Sequence, residues 1–201
     1  MSLLTIARNI AVNVGVAVPS EVKSSSDPDA MKIVRFTEEA GEEVARRANW
    51  GALRKTGAVT GTGANDRFAL PTDFGRVIPG TSIKSAGSVI RTGLSADEWN
   101  SLPASVGTPR YARLEGQTVA FWPYLPTSQQ AAVTYQSLYW CGGGTSWAAD
   151  GDVAAVPEIL IEKGALWRWR RQLGADYQDQ FAEFETALAD LARMDDAMRF
   201  P

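Results

Sequence analysis

Tyr177, Phe181, Phe184, Leu188 and Leu191 recur at spacings of four, three, four and three. This is the strongest periodic signal in the chain, and an α-helix brings such positions onto one stripe. A stripe this apolar has to be buried against another element. Matching segments are available at both ends of the chain. Pro157 stands at a first helical position and opens a helix from Glu158 to Leu173 that breaks at Gly174. Leu3, Ala7, Ile10 and Val14, with Leu4 and Ala11 beside them, predict an N-terminal helix ending near Gly15. Asp27 then reads as an N-cap, followed by Pro28 and by Asp29 in the first turn. The helix it opens carries Ile33, Ala40, Val44 and Ala48 inward and runs to about Trp50.

Between these helical ends, glycine, proline, serine and threonine punctuate short runs such as FAL, RVI and SVIRT, which is the grammar of strands and turns. RYARL-EG-QTVAFWP predicts a hairpin turning at Glu115-Gly116. AAVTYQSLYW follows as a third run, so an antiparallel meander is expected. Ser95-Ala-Asp-Glu98 fits a capping box and predicts a short helical turn through Trp99. Gly142 to Gly144 read as a flexible connector. The expected fold is α+β: an antiparallel helical bundle from residues 1–55 and 150–192, a small β-sandwich or barrel inserted at 56–149, and a C-terminal tail at 193–201.

Several chemistries are excluded by what the chain lacks. Among its 201 residues there is no histidine and a single cysteine, Cys141. That removes Ser–His and Cys–His nucleophilic catalysis, histidine-zinc sites and any intrachain disulfide. The expectation is therefore a protein that is not an enzyme and carries neither cofactor nor metal. GTGAN at Gly61 has no third glycine for a dinucleotide crevice, and the glycines before Thr145 lack the lysine of a phosphate loop. Asp150 and Asp152 hint at calcium, or at a carboxylate-based hydrolase, but no further side-chain oxygen follows them. Cys141 reads as a small packing residue. No apolar run approaches the roughly 20 residues that span a bilayer, so the chain is expected to be soluble.

ALWRWRRQL, Ala165 to Leu173, interleaves arginine and tryptophan as a nucleic-acid surface can. The net charge of −3 argues against that use. So does the geometry: at about 100° per residue, Arg168 and Arg170 diverge by about 160°, where a phosphate-tracking helix would gather them. Trp169 falls nearly opposite Trp167. A helix apolar on several sides predicts burial against its own bundle and against a neighbouring subunit, with Trp167, Trp169, Arg168 and Arg170 at that subunit interface.

Phe68-Ala-Leu70-Pro71-Thr-Asp73-Phe74-Gly-Arg-Val is similar to a Leu-Pro-x-Asp-Phe segment of many bacteriophage head-to-tail adaptor (connector) proteins, also described as tail tubular protein A-like. The order of the other segments matches as well: Ala48-Asn-Trp50-Gly-Ala-Leu53, Phe121-Trp-Pro-Tyr124, Tyr135-Gln-Ser137-Leu-Tyr-Trp140, Asp150-Gly-Asp152, and Lys163-Gly164 through Trp169. The resemblance implies a homo-oligomeric ring, typically dodecameric, seated below the portal protein. Such a ring joins the capsid to a tail, nozzle or neck protein and lets double-stranded DNA pass without sequence-specific binding, in the neck of a virion built in the host cytoplasm. It also implies structural roles for Leu70, Pro71, Asp73 and Phe74. Portal docking would fall to Arg193, Met194, Met198, Arg199 and Phe200. The alternative is a carbohydrate- or receptor-binding β module, with Trp122, Tyr124, Tyr139 and Trp140 as a stacking platform.

Overall fold

The computed structural model describes residues 1–64, 67–78 and 83–197. It divides into a helical unit, Met1–Leu53 with Leu138–Pro201, and a β unit, Arg54–Ser137. The fold is α+β with an inserted β module.

In the helical unit, α1 (Leu3–Val14) starts at an Ser2 cap and stops where Gly15 takes a left-handed φ of 74°. The next helix, α2 (Pro28–Arg47), is capped by Asp27, whose carboxylate accepts from the backbone N–H of Asp29 and Ala30. After the β unit come α4 (Glu158–Gln172) and α5 (Gln178–Ala197), separated by the left-handed Gly174. Pro157 is the N-cap residue of α4, one position earlier than its expected place. At the centre lies α4, packed on α1, α2 and α5. Its contact with two neighbours is close enough to require glycine: a Cβ at Gly164 would lie 2.7 Å from that of Ala40 and 3.3 Å from the Phe184 ring. Phe184 and Leu188 of the periodic stripe are buried, and Tyr177, Phe181 and Leu191 pack at its margin.

Residues 138–149, expected in the β module, belong to the helical unit. The reason is two indoles. Trp140 and Trp147 meet edge to face at 4.9 Å in the helical core, and Trp147 Nε1 donates to Thr37 Oγ1 at 3.2 Å. The three glycines between them form an ordered turn rather than a flexible connector: Cys141 bridges Gly144, and Gly142 N–H donates to the Val153 carbonyl at 3.2 Å.

The β unit has two antiparallel sheets around one core. Its strands are β1 (Arg54–Thr60), β2 (Arg67–Ala69), β3 (Phe74–Val77), β4 (Ile83–Ser85), β5 (Ser88–Ile90), β6 (Tyr111–Glu115), β7 (Thr118–Trp122) and β8 (Gln130–Ser137). A short helix, α3 (Ala96–Asn100), follows β5 and carries the expected capping box of Ser95 and Glu98. The β6–β7 hairpin forms with Glu115 opposite Thr118, so the turn is Gly116-Gln117, one residue later than expected. The meander does not form. The free edge of β7 is taken by β2, with Phe68 opposite Val119. Residues 123–129 carry the chain away, and β8 enters the other sheet, pairing with β1 along one whole edge. That leaves β3 and β4 to share its other edge, at Tyr135–Ser137 and Ala131–Ala132 respectively.

Candidate assembly surfaces

The indoles of α4 are covered by their own unit. Trp167 is 8% exposed and Trp169 is 5% exposed. Trp167 meets Phe181 edge-on at 5.3 Å and Tyr177 at 6.2 Å. Trp169 meets Phe36 edge-on at 6.3 Å, with Lys32 Nζ 5.6 Å from its ring. Sequence periodicity was right that this helix is apolar on several sides. The cover comes from within: three helices of the same unit pack on α4, so neither tryptophan needs a neighbouring chain to bury it. Among the described residues, Trp167 Nε1 is buried without an acceptor.

Arg168 is equally internal. Its guanidinium pairs with Glu43, reaches Glu39 at 3.5 Å, donates to the Gly164 carbonyl at 2.8 Å, and lies 4.3 Å from the Trp167 ring centre. It ties α4 to α2 rather than to phosphate. Arg170 points to solvent. Arg171, Lys32 and Arg35 line a cleft between α2 and α4.

At the other end of α5, Arg193 is exposed and stands 4.0 Å from Asp190. Met194 is 58% exposed and helps line a mainly apolar pocket of about 380 Å³ with Trp50, Val156, Pro157 and Leu191. Asp195 accepts from the backbone N–H of Gly51 at 2.9 Å, fixing the helix end to the turn Gly51–Leu53. Met198, Arg199 and Phe200 lie outside the described residues.

Leu70, Pro71, Asp73 and Phe74 form a corner of the β unit. Phe74 N–H donates to the Pro71 carbonyl at 2.9 Å, closing a turn between β2 and β3. Leu70 and Phe74 enter the core, the latter 5.4 Å from the Tyr135 ring. Pro71 lies against β1 so closely that a Cβ at Gly57 would be 2.8 Å from its Cγ. Asp73 is buried and accepts from Tyr135 Oη at 2.7 Å, Ser137 Oγ at 2.8 Å and Lys55 Nζ at 2.6 Å. Burial pushes its pKa up, but these three hydrogen bonds and the lysine charge outweigh that and hold it at about 2. The same contact, added to burial, raises the Tyr135 phenol. Tyr135 and Ser137 sit at i and i+2 on β8, hence on one face. Their hydroxyls were a legible sign of a buried acceptor, though the sequence reading did not join them to Asp73.

The other candidate sites resolve into framework. Asp150 accepts from the backbone N–H of Val22 and Lys23, and Asp152 from those of Ala148 and Ala149. Each staples a loop. The four residues of the stacking platform do not share a unit: Trp122 and Tyr124 are in the β unit, Tyr139 and Trp140 in the helical one, and Trp140 is 1% exposed. Trp122 Nε1 is engaged by the Pro103 carbonyl at 2.7 Å. Cys141 is buried, and burial with the nearby Asp152 pushes its thiol up to about 12. Among the described residues, no group of three or more His, Cys, Asp or Glu could hold a metal, and no helix is long and apolar enough to cross a membrane.

The fold is thus a helical unit interrupted by a two-sheet β insertion, in which Asp73, Asp150, Asp152 and Arg168 each tie together segments distant in sequence or hold a loop. The chain matches the family model of the SU10 adaptor protein over residues 1–200, and it belongs to that family of phage head-to-tail adaptors. No curated protein matches it. Membership makes it a bacteriophage structural adaptor.

Proposed function

We propose that this chain forms a dodecameric ring below the portal of a tailed phage, joining the filled head to a tail, nozzle or neck protein around a channel for the genome. What carries the reading is the extent of the family match, residues 1–200, which takes in both units. The charge balance supports it. Each cation–phosphate contact adds affinity through counterion release, so a lumen that lets double-stranded DNA slide has to be sparing with them. A subunit of net charge −3 repeated around a ring suits that need, and no sequence-specific binding is required.

Portal docking falls to the C-terminal segment, with Arg193 and the exposed Met194 on the last turns of α5 and Met198, Arg199 and Phe200 beyond them. Arg170 is a contact between subunits, while Trp167, Trp169 and Arg168 shape that surface from within. The protein is made in the host cytoplasm and works in the virion neck. Electron microscopy of the full chain mixed with its portal is the test: a ring beneath the portal is expected. A chain that stays monomeric with portal at micromolar concentrations would falsify the reading.

A further inference from the structure

Two surfaces of the helical unit are complementary in charge and share no residue. The first is a cleft of about 540 Å³ between α2 and α4. Lys32 and Arg35 line it from α2, Arg168, Arg171 and Gln172 from α4, with Phe36 and Trp167 in its apolar part. Its charges are four cations against one carboxylate, Glu39. Arg168 is held inside by Glu43, whereas the ion pairs of Lys32 and Arg35 are exposed ones within their own helix, with Asp29 and Glu39, each at 3.0 Å. Arg171 makes no ion pair among the described residues. Exposed pairs of this kind are weak and exchange partners readily.

The second surface is on α5. Asp179, Glu183, Thr186 and Asp190 recur at spacings of four, three and four, a polar stripe separate from the one that holds Phe184 and Leu188 in the core. Together with Ala182, Ala187 and Lys163 they line an open depression of about 640 Å³, three carboxylates against one cation. Glu183 is tethered by Lys163 at 2.9 Å, and the small side chains of Ala182 and Ala187 leave room for another helix to come near.

We propose that the α5 stripe of one copy seats in the α2–α4 cleft of the next, making the head-to-tail contact of the ring. The inference rests on the ring reading above and gives it an interface. A contact between two different patches of the same chain is heterologous, and a heterologous contact closes into a ring when its rotation permits. A second copy is favoured over DNA as occupant of the cleft because Glu39 and Glu43 already hold Arg168, so the cleft offers a few separate cations that match the three carboxylates of the stripe rather than a continuous phosphate backbone.

The test uses two charge-reversed full-length proteins, Arg35→Glu/Arg171→Glu and Asp179→Lys/Asp190→Lys, each checked for native circular dichroism. Rings on portal are counted by electron microscopy. Each variant alone is expected to lose ring yield by about tenfold, because like charges then face each other. An equimolar mixture is expected to recover it, since the acidic cleft of one variant meets the basic stripe of the other and the remaining pair is native. Wild-type yield from either variant alone overturns the proposal while the ring reading stands. So does a mixture no better than its components. Failure of the wild-type chain to form rings on portal removes the ring reading itself, with no variant needed.

Discussion

Gly41 of α2 and the indole of Trp140 occupy one volume: a Cβ built on Gly41 would lie 2.6 Å from Trp140 Cζ2 and closer still to two other ring carbons. The helix gives up side-chain surface at this position so that the tryptophan can enter the core. Gly41→Ala gains up to about 1 kcal/mol in helix propensity. It also forces a buried ring out of a position fixed by Trp140 Nε1 donating to the Thr145 carbonyl at 2.9 Å. Overpacking of that kind costs about 1–3 kcal/mol. Packing wins, so urea unfolding of Gly41→Ala should show a lower midpoint than wild type. An unchanged or higher midpoint would mean that the ring moves aside freely.

The Asp73 corner sets an acid limit on the β unit. Its carboxyl is held at about 2, below the ordinary 3.8, so the stability it supplies is fully present above the ordinary value and is lost as pH falls towards about 2. The difference corresponds to about 2 kcal/mol. Asp73→Asn should lower stability at pH 6 by that order and should flatten the dependence between pH 4 and pH 2, as read from urea midpoints across the range. A variant with the full wild-type acid dependence would show that the corner is not its source.

Neighbouring arginines of α4 should behave differently. Arg168→Ala leaves Glu43 with Arg47 as its remaining partner, at 3.3 Å, and removes the cover from the Trp167 ring, which is expected to cost about 1–3 kcal/mol. Arg170→Ala touches a solvent-facing side chain and should stay within about 0.5 kcal/mol of wild type. Thermal melting of the two variants side by side gives the comparison. Equal losses would contradict the burial described for Arg168.

Cys141 should be silent in the native chain. Buried and with its thiol raised to about 12, it presents neither access nor thiolate at pH 8. Maleimide labelling is expected only after addition of denaturant, with one equivalent taken up. Rapid native labelling would show that the loop over it opens.

Local chemistry made much of the fold legible before any coordinates. The Asp27 cap, the Ser95–Glu98 box and the left-handed Gly174 are signals spanning a few residues, and each lies where short-range hydrogen bonding puts it. The failures needed information from farther away. Nothing within AAVTYQSLYW says that β2 already occupies the edge of β7, so the meander was a reasonable but wrong pairing. Helical spacing showed that Trp167 and Trp169 point apart, yet it could not say whether the cover for each came from this chain or from another. The Asp73 corner joins β1, a turn and β8, and its partners are separated by 18, 62 and 64 residues. Sequence offered the right residue types there without their meeting point.

The Asn9 amide donates to Glu162 at 2.8 Å across 153 residues of chain, and the helices that carry this pair are neighbours in the finished core. During synthesis α1 and α2 therefore emerge long before α4 exists to cover them, whereas the β unit has all its strands once Ser137 has left the ribosome. A product that ends before α4 would leave the apolar sides of α1 and α2 without that cover. Exposed apolar surface of that kind is what makes incompletely folded chains prone to aggregate, so α4 is the segment on which closure of the helical unit waits.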